Sequence, residues 1–317
     1  MSVTSSTNAP KVIVIAGPTA AGKSALALAV AEKFHGVLIN ADSQQRYADL
    51  RILTSRPSVA DEARVPHKLF GDLGPADTGS AAEWAIKAAA EIETATAQNK
   101  VPILVGGTGL YFRALMEGLS GMPAVPSEVR DSARALLDDI GHAAFHAKLA
   151  ARDPVLGARL KPGDTQRMLR AWEVVEASGR PLSAWQETPG TPPIAARYFS
   201  IVLLPDRAAL YADCDSRFQA MVEGGALAEV QALIDRRIDL AKGIGKALGV
   251  AELAKTLAGA QDLAGAVTLV QTATRQYAKR QMTWFRNQFR ADLTLSKKLS
   301  ECLMEEIFSN IRLFLLT

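Results

Sequence analysis

Residues 11–26 read KVIVIAGPTAAGKSAL, and the fold follows from how that stretch divides. The first six residues, KVIVIA, are a β-branched apolar run of strand character. The next eight, Gly17-Pro-Thr-Ala-Ala-Gly-Lys-Ser24, match the phosphate-loop pattern G-x-x-x-x-G-K-[ST]. In such a loop glycines let backbone N–H groups close around phosphate oxygens, Lys23 supplies a mobile positive charge, and the Ser24 hydroxyl can ligate Mg2+. The residues after it, SALALAVAEKF, are good helix formers, so a helix N-terminus faces the anion. The competing explanation is a chance match in an apolar turn, but strand and helix stand where a phosphate cradle needs them. The candidate cradle is therefore Gly17, Thr19, Ala20, Ala21, Gly22, Lys23 and Ser24.

Working outward, VLIN (37–40) is a second short strand that runs into ADSQQRY. Residues 80–98 form an alanine-rich helix with Ser80 at its N-cap and Glu83 at capping-box spacing. VPILV (101–105) is a third buried strand, closed by GGTGLY. Alternating strand, loop and helix predict an α/β fold, a P-loop NTPase-like parallel sheet with helices on both faces. From about Gly121 the pattern changes. A proline-marked connector, GMPAVPSEV, leads into residues 127–187, which show only helical patterns. The hinge-like ETPGTPPIAA then returns the chain to a strand, RYFSIVLLP. Residues 1–121 and 196–317 are expected to form the α/β core with C-terminal helices, and 122–195 an all-helical insertion domain. The chain beyond Asp206 reads as mostly helical. Its end, SKKLSECLMEEIFSNIRLFLLT, reads as an amphipathic helix that packs on the core or contacts a second chain.

The chain has 317 residues, of which 48% are hydrophobic and 22% charged, so it can bury a core and is not disordered in type. No apolar run reaches the roughly 18 residues that span a bilayer. The opening MSVTSSTNAPK lacks the apolar centre of a signal peptide and reads as a polar tail. The two cysteines, Cys214 and Cys302, are far apart and propose neither a disulfide framework nor a zinc site. These features predict a reduced, cytoplasmic protein. A net charge of +3 does not by itself predict a nucleic-acid partner, but its distribution does suggest one. Between Asp262 and Asp292 there is no acidic residue, while Arg275, Lys279, Arg280, Arg286 and Arg290 fall there. At helical spacing Ala278, Met282, Phe285 and Phe289 share one face, and Arg275, Lys279, Arg286 and Arg290 line the next. That is the layout of a helix that docks on a core and binds a nucleic-acid backbone, or of an ordinary solvated helix.

Three acids or hydroxyls stand at strand ends, where open α/β sheets bind ligands. Asp42, followed by Ser43, Gln44 and Gln45, is a general base for an incoming amine or hydroxyl, or a buried cap. Thr108, in GGTGLY, is a ligand for a reacting group or a solvated turn residue. Asp206 follows a strand but begins a helix pattern, which makes it a helix cap rather than the magnesium-holding acid of an ATPase or kinase. His142 and His146 are four apart, yet no further ligand completes a metal set, so a surface helix is expected.

Taken together, GPTAAGKS, NADSQQRY, PHKL (66–69), GGTGLYFRAL, DPVLGARLKPGDTQRMLRAWEV and TRQYAKRQMTWFR resemble the bacterial tRNA dimethylallyltransferase (tRNA isopentenyltransferase) family over about residues 11–290. The resemblance implies that the glycine loop holds the diphosphate of dimethylallyl diphosphate with Mg2+. The exocyclic amine of the adenosine 3′ of the anticodon then attacks the allylic carbon, in tRNAs reading codons that start with U. By the same resemblance, Asp42 accepts the amine proton, Thr108 holds the bridging oxygen, and Arg217, in DSRFQAMVEGG, clamps the diphosphate. Asp42, Ser43, Gln44, Gln45, Thr108, Arg130, Gln166, Arg167, Met168, Leu169 and Arg170 match segments that touch tRNA, and Arg275, Lys279 and Arg286 are expected to meet its phosphates. The implied partner is the anticodon stem-loop, covered by the helical insertion and bound by a monomer with no membrane association.

The chain departs from the family pattern in places. Gln44-Gln45-Arg46-Tyr47 stands where Met-Gln-Val-Tyr is usual, so packing against the flipped base is expected to differ. Lys68 replaces a histidine, Leu248-Gly249-Val250-Ala251-Glu252 replaces an IGYKE-like element, and Lys161-Pro-Gly-Asp164 replaces HPND. Rival readings are an isopentenyltransferase acting on free adenine nucleotides, a P-loop kinase for a small metabolite, and a non-enzymatic RNA-binding module.

Overall fold

The apolar run at residues 11–16 becomes the centre of a sheet because its side chains are buried on both faces: Val12, Ile13, Val14, Ile15 and Ala16 are all solvent-inaccessible. The computed structural model describes residues 9–122, 124–297 and 300–317. The polar tail read at 1–8, Pro123 of the connector and residues 298–299 before the last helix lie outside the described residues. In chain order the elements are β1 (Lys11–Ala16), α1 (Lys23–Lys33), β2 (Gly36–Asn40), α2 (Val59–Arg64), β3 (His67–Lys68), α3 (Ala81–Ala97), β4 (Val101–Gly106) and α4 (Gly109–Met116). Then come α5 (Ser127–Arg152), α6 (Pro154–Arg159), α7 (Thr165–Ser178) and α8 (Leu182–Gln186). The chain closes with β5 (Arg197–Leu203), α9 (Arg207–Glu223), α10 (Ala226–Asp235), α11 (Val250–Leu257), α12 (Leu263–Gln288), β6 (Leu293–Leu295) and α13 (Glu301–Leu316).

Among the described residues six strands pair in parallel in the order β3-β2-β4-β1-β5-β6. One face of the sheet, through Ile13, Ile15, Ile103, Val105 and Ile201, packs on Leu26, Ala27 and Val30 of α1 and on Ile307 and Ile311 of α13. α3 packs against β2 and β4, and its Trp84 indole N–H donates to the Asn40 carbonyl at 2.7 Å. The Ser80–Glu83 capping box predicted for α3 is present in both directions. The apolar tail is thus a core-covering helix of this chain. A second core, including Leu53, Phe218, Val230, Leu253 and Val270, gathers the helices α9 to α12.

The chain divides into two compact units, one from residues up to Met116 and from Pro193 onward, the other Glu117–Pro192. The second unit is entirely helical and has its own core around Phe145, Leu149, Met168 and Trp172. Its α5 is broken at Gly141, whose φ of 75° and ψ of 167° leave the helical region.

Candidate active site

Register brings the site together. Ala16 of β1 lies beside Gly106 of β4, so the chain leaves both strands at the same level. On the other side of β4, Asn40 pairs with Val105, and the Ala41 N–H donates to the Val105 carbonyl at 2.8 Å. The Thr108 N–H in turn donates to the Ala41 carbonyl at 3.1 Å. Residues 17, 42 and 108 therefore emerge together at the carboxyl edge of the sheet.

Asp42 is oriented by its neighbours. The buried Asn40 side chain accepts the Asp42 N–H at 2.8 Å and donates to its carbonyl at 2.9 Å. One Asp42 carboxylate oxygen, Oδ1, accepts the Gln44 N–H at 2.9 Å. Asp42 thus caps this turn and also lines the cavity described below. Thr108 Oγ1 accepts the Ser43 N–H at 2.9 Å and donates to Ser43 Oγ at 3.3 Å. The Tyr277 phenol, from α12, faces Thr108, Gln44 and Asp42. Burial first, and then the Asp42 charge, raise its pKa, while hydrogen bonding to Thr108 and Gln44 opposes the rise.

The glycine loop turns sharply into α1. Gly22, at φ 86°, is its N-cap and brings no side-chain cap, so the first N–H groups of α1 remain for an anion. Ala20 also has positive φ, 64°, an uncommon conformation for a residue with a Cβ. Lys23 Nζ donates to the Pro18 carbonyl at 2.7 Å. Burial lowers the Lys23 ammonium pKa to about 8, with Asp42 opposing the shift and Arg217 adding to it. Arg217, on α9, donates from Nη2 to Thr19 Oγ1. Its pKa is also lowered by burial, against the attraction of Cys214 and Asp42. α9 itself starts at Asp206, whose Oδ1 accepts the N–H groups of Ala208 and Ala209 at 2.8 and 3.2 Å. The acid after β5 is a helix cap.

Sequence reading missed Gln281, which is only 6% exposed. Its Oε1 accepts the Thr19 N–H at 2.8 Å and its Nε2 donates to the Gly107 carbonyl at 2.8 Å. The signal was a polar residue inside the apolar stripe Ala278, Met282, Phe285, where only a hydrogen-bonded group is stable.

Thr19, Lys23, Ser24, Asp42, Gln45 and Arg217 line one cavity of about 610 Å³, together with Arg56, Arg64, His67 and Phe70. Thr19, Asp42, Thr54, Ser55 and Arg217 also line a smaller neighbouring cavity of about 40 Å³, whose wall includes Gln44, Leu53, Phe218, Leu248, Thr274 and Tyr277. The two cavities meet at these five shared residues, Thr19 to Arg217.

The departure at 44–47 is absorbed inside the protein. Arg46 is wholly buried and bidentate to Asp72, at 2.8 and 2.6 Å, with Glu83 at 3.3 Å. Burial alone would lower its pKa, but the Asp72 and Tyr111 contacts outweigh it and raise the pKa. Gln44 Oε1 accepts the Leu248 N–H at 3.1 Å, and Gln45 donates to the carbonyls of Thr54 and Ser55 at 3.1 and 2.7 Å. Lys68 pairs with Glu91 at 3.4 Å.

The candidate RNA-facing residues fall into two groups. On α12, Lys279 and Arg286 are exposed, whereas Arg275 is held by both oxygens of Asp215 at 2.7 and 2.8 Å. The helix ends at Gln288, so Arg290 lies beyond it, while Phe289, its C-cap residue, still packs on Phe285 of the apolar face with ring centroids 5.7 Å apart. In the helical unit, Gln166 and Arg167 are exposed on α7, Arg170 sits 3.6 Å from Glu173, and Arg130 donates to the Val125 carbonyl at 2.8 Å. The side chains of Met168 and Leu169, matched to the same RNA-facing segment, are buried in that unit's core and serve its packing. His142 and His146 bond to Thr165 Oγ1 and the Leu160 carbonyl at 3.0 and 2.9 Å. Among the described residues no group of three His, Cys, Asp or Glu side chains forms a metal site, and no helix is long and apolar enough to cross a membrane.

The family model described as IPP transferase matches residues 45–288. A protein named tRNA dimethylallyltransferase from Paramagnetospirillum magneticum is 52% identical over 312 residues, covering 98% of this chain and 99% of its own. A crystal structure of a tRNA delta(2)-isopentenylpyrophosphate transferase from Staphylococcus epidermidis is 30% identical with a TM-score of 0.67, covering 96% of this chain and 99% of that one. A eukaryotic dimethylallyltransferase acting on tRNA is 25% identical with a TM-score of 0.76, covering 95% and 80%. Matched along nearly its whole length, the chain belongs to the IPP transferase family.

Proposed function

We propose that this protein is a tRNA dimethylallyltransferase, a cytoplasmic enzyme acting as a monomer. It moves the dimethylallyl group of dimethylallyl diphosphate to the exocyclic amine of the adenosine 3′-adjacent to the anticodon, in tRNAs reading codons that start with U, and releases diphosphate. The observation that carries the reading is the shared cavity: the carboxylate of Asp42 and the cationic loop of Lys23 with Arg217 line the same space. The names of the relatives support the same chemistry.

In the step proposed, the amine lone pair forms a C–N bond to the allylic carbon. The C–O bond to diphosphate breaks and its electron pair leaves on the diphosphate oxygen. The amine proton passes to the Asp42 oxygen not engaged by Gln44. Lys23 and Arg217, already desolvated, face the charge that builds on the leaving group, usually the largest catalytic contribution. Thr108 turns its O–H from Ser43 to the bridging oxygen. Mg2+ fits the donor set, because Ser24 offers a hard oxygen on the cavity wall and this ion takes few protein ligands beside substrate phosphates and water. When bound it would neutralise part of the diphosphate charge. The target base leaves its stack to reach Asp42. Lys279 and Arg286, with Arg130, Gln166, Arg167 and Arg170, are the proposed contacts to the anticodon stem-loop.

The test incubates the purified protein with Mg2+, labelled dimethylallyl diphosphate and unmodified tRNA carrying adenosine 3′ of its anticodon. Parallel reactions hold AMP or ATP instead of tRNA. Label in the tRNA is expected. Label in AMP alone, or ATP consumption without transfer, would replace this function with one of its rivals.

A further inference from the structure

We propose that Gln281 is a positioning residue for the diphosphate cradle, an inference that rests on the transferase reading above. The glycine loop must aim its N–H groups at an anion, yet a loop carrying unsatisfied donors relaxes to pair them elsewhere. Thr19 is fixed from two directions. Its N–H is held by Gln281 Oε1 from α12, and its hydroxyl by Arg217 from α9. The other end of the Gln281 amide holds the Gly107 carbonyl, at the end of β4 and one residue before Thr108. One side chain therefore sets the distance between the loop that cradles phosphate and the loop that carries Thr108.

Chemistry restricts the residue that can do this. Both partners are backbone groups of opposite sense, one donor and one acceptor, so the bridging group must offer an acceptor and a donor on a planar fork. A neutral primary amide does so, whereas a carboxylate presents an acceptor to the Gly107 carbonyl. Close approach is built in: a Cβ at Gly107 would lie 2.3 Å from Gln281 Nε2 and 3.0 Å from the Gly17 carbonyl.

The test measures inorganic diphosphate binding by calorimetry for wild type, Gln281→Leu and Gln281→Glu, with folding checked by circular dichroism. Steady-state KM values for the donor and for tRNA are measured in parallel. Gln281→Leu is expected to weaken diphosphate binding about tenfold or more and to raise the donor KM in step, leaving the tRNA KM unchanged. Gln281→Glu is expected to bind poorly at pH 8. Its affinity relative to wild type then recovers as pH falls to 5.5, because a protonated carboxyl regains both donor and acceptor, and burial raises its pKa into that range. Variants that bind diphosphate within twofold of wild type at every pH would overturn the positioning role alone. Should Gln281→Leu not fold, the Gln281→Glu ratio decides: recovery at low pH supports the role and a flat ratio overturns it. A wild-type protein that does not bind diphosphate would overturn the transferase reading and this role together.

Discussion

Arg217 donates to the Thr19 hydroxyl across 198 positions of sequence, tying helix α9 to the glycine loop. The contact places a desolvated guanidinium against the loop that is proposed to hold diphosphate, and both residues line the same cavity. Such a charge is organised before substrate arrives, so it costs no reorganisation during reaction.

Replacing it should therefore act on the chemical step. Arg217→Ala is expected to lower kcat about 100-fold while the folded structure is retained. Arg217→Lys should recover only part of this, because an ammonium cannot bond Thr19 and a phosphate oxygen with the same fork geometry. Steady-state kinetics at saturating tRNA give the comparison.

Lys23 makes donor binding sensitive to alkaline pH. In the free protein its pKa is lowered to about 8, and a bound anion favours the charged form and raises it. Affinity is thus complete below pH 8 and is lost as pH rises through that value. Between pH 7 and 9 the dissociation constant for dimethylallyl diphosphate should rise about tenfold. Lys23→Met should bind weakly at both pH values and show no such slope, which calorimetry across the range would reveal.

Arg46 belongs to stability. It is absent from the cavity walls and is buried against Asp72 and Glu83. Asp72 keeps Lys87 at 3.2 Å when Arg46 is removed, so the acid is not left alone. Arg46→Val should cost about 2 kcal/mol, from the lost charged hydrogen bonds to Asp72 and Glu83 and a smaller side chain, offset in part by the desolvation of the guanidinium no longer required. Urea unfolding would measure this, and kcat/KM of the folded variant should stay within about threefold of wild type.

These residues also mark what a single sequence discloses. Local features were legible: the strand and helix flanking Gly17 to Ser24, the Ser80–Glu83 capping box, and Asp206 as a cap, because each depends on neighbours a few positions away. The placement of Asp42 and Thr108 at strand ends was legible too, since parallel strands put their carboxyl ends on one edge. β3 and β6 were not, being two and three residues long, too short for an alternating pattern to register. Nor were Gln281 and Arg46, whose partners lie 262 and 26 positions away and come into reach only when the sheet forms. Met168 and Leu169 show that a motif matched as one block contains packing residues beside exposed ones.

The proposed division of labour, Asp42 taking the amine proton while the glycine loop holds diphosphate, stands on a single carboxylate. It is tested most directly by the single-turnover rate of label transfer to tRNA by Asp42→Asn, measured beside its affinity for dimethylallyl diphosphate. A rate about 100- to 10,000-fold below wild type is expected. Affinity should be unchanged or tighter, because a negative charge facing the phosphates has been removed. Transfer at the wild-type rate, or loss of diphosphate binding without loss of fold, would contradict it.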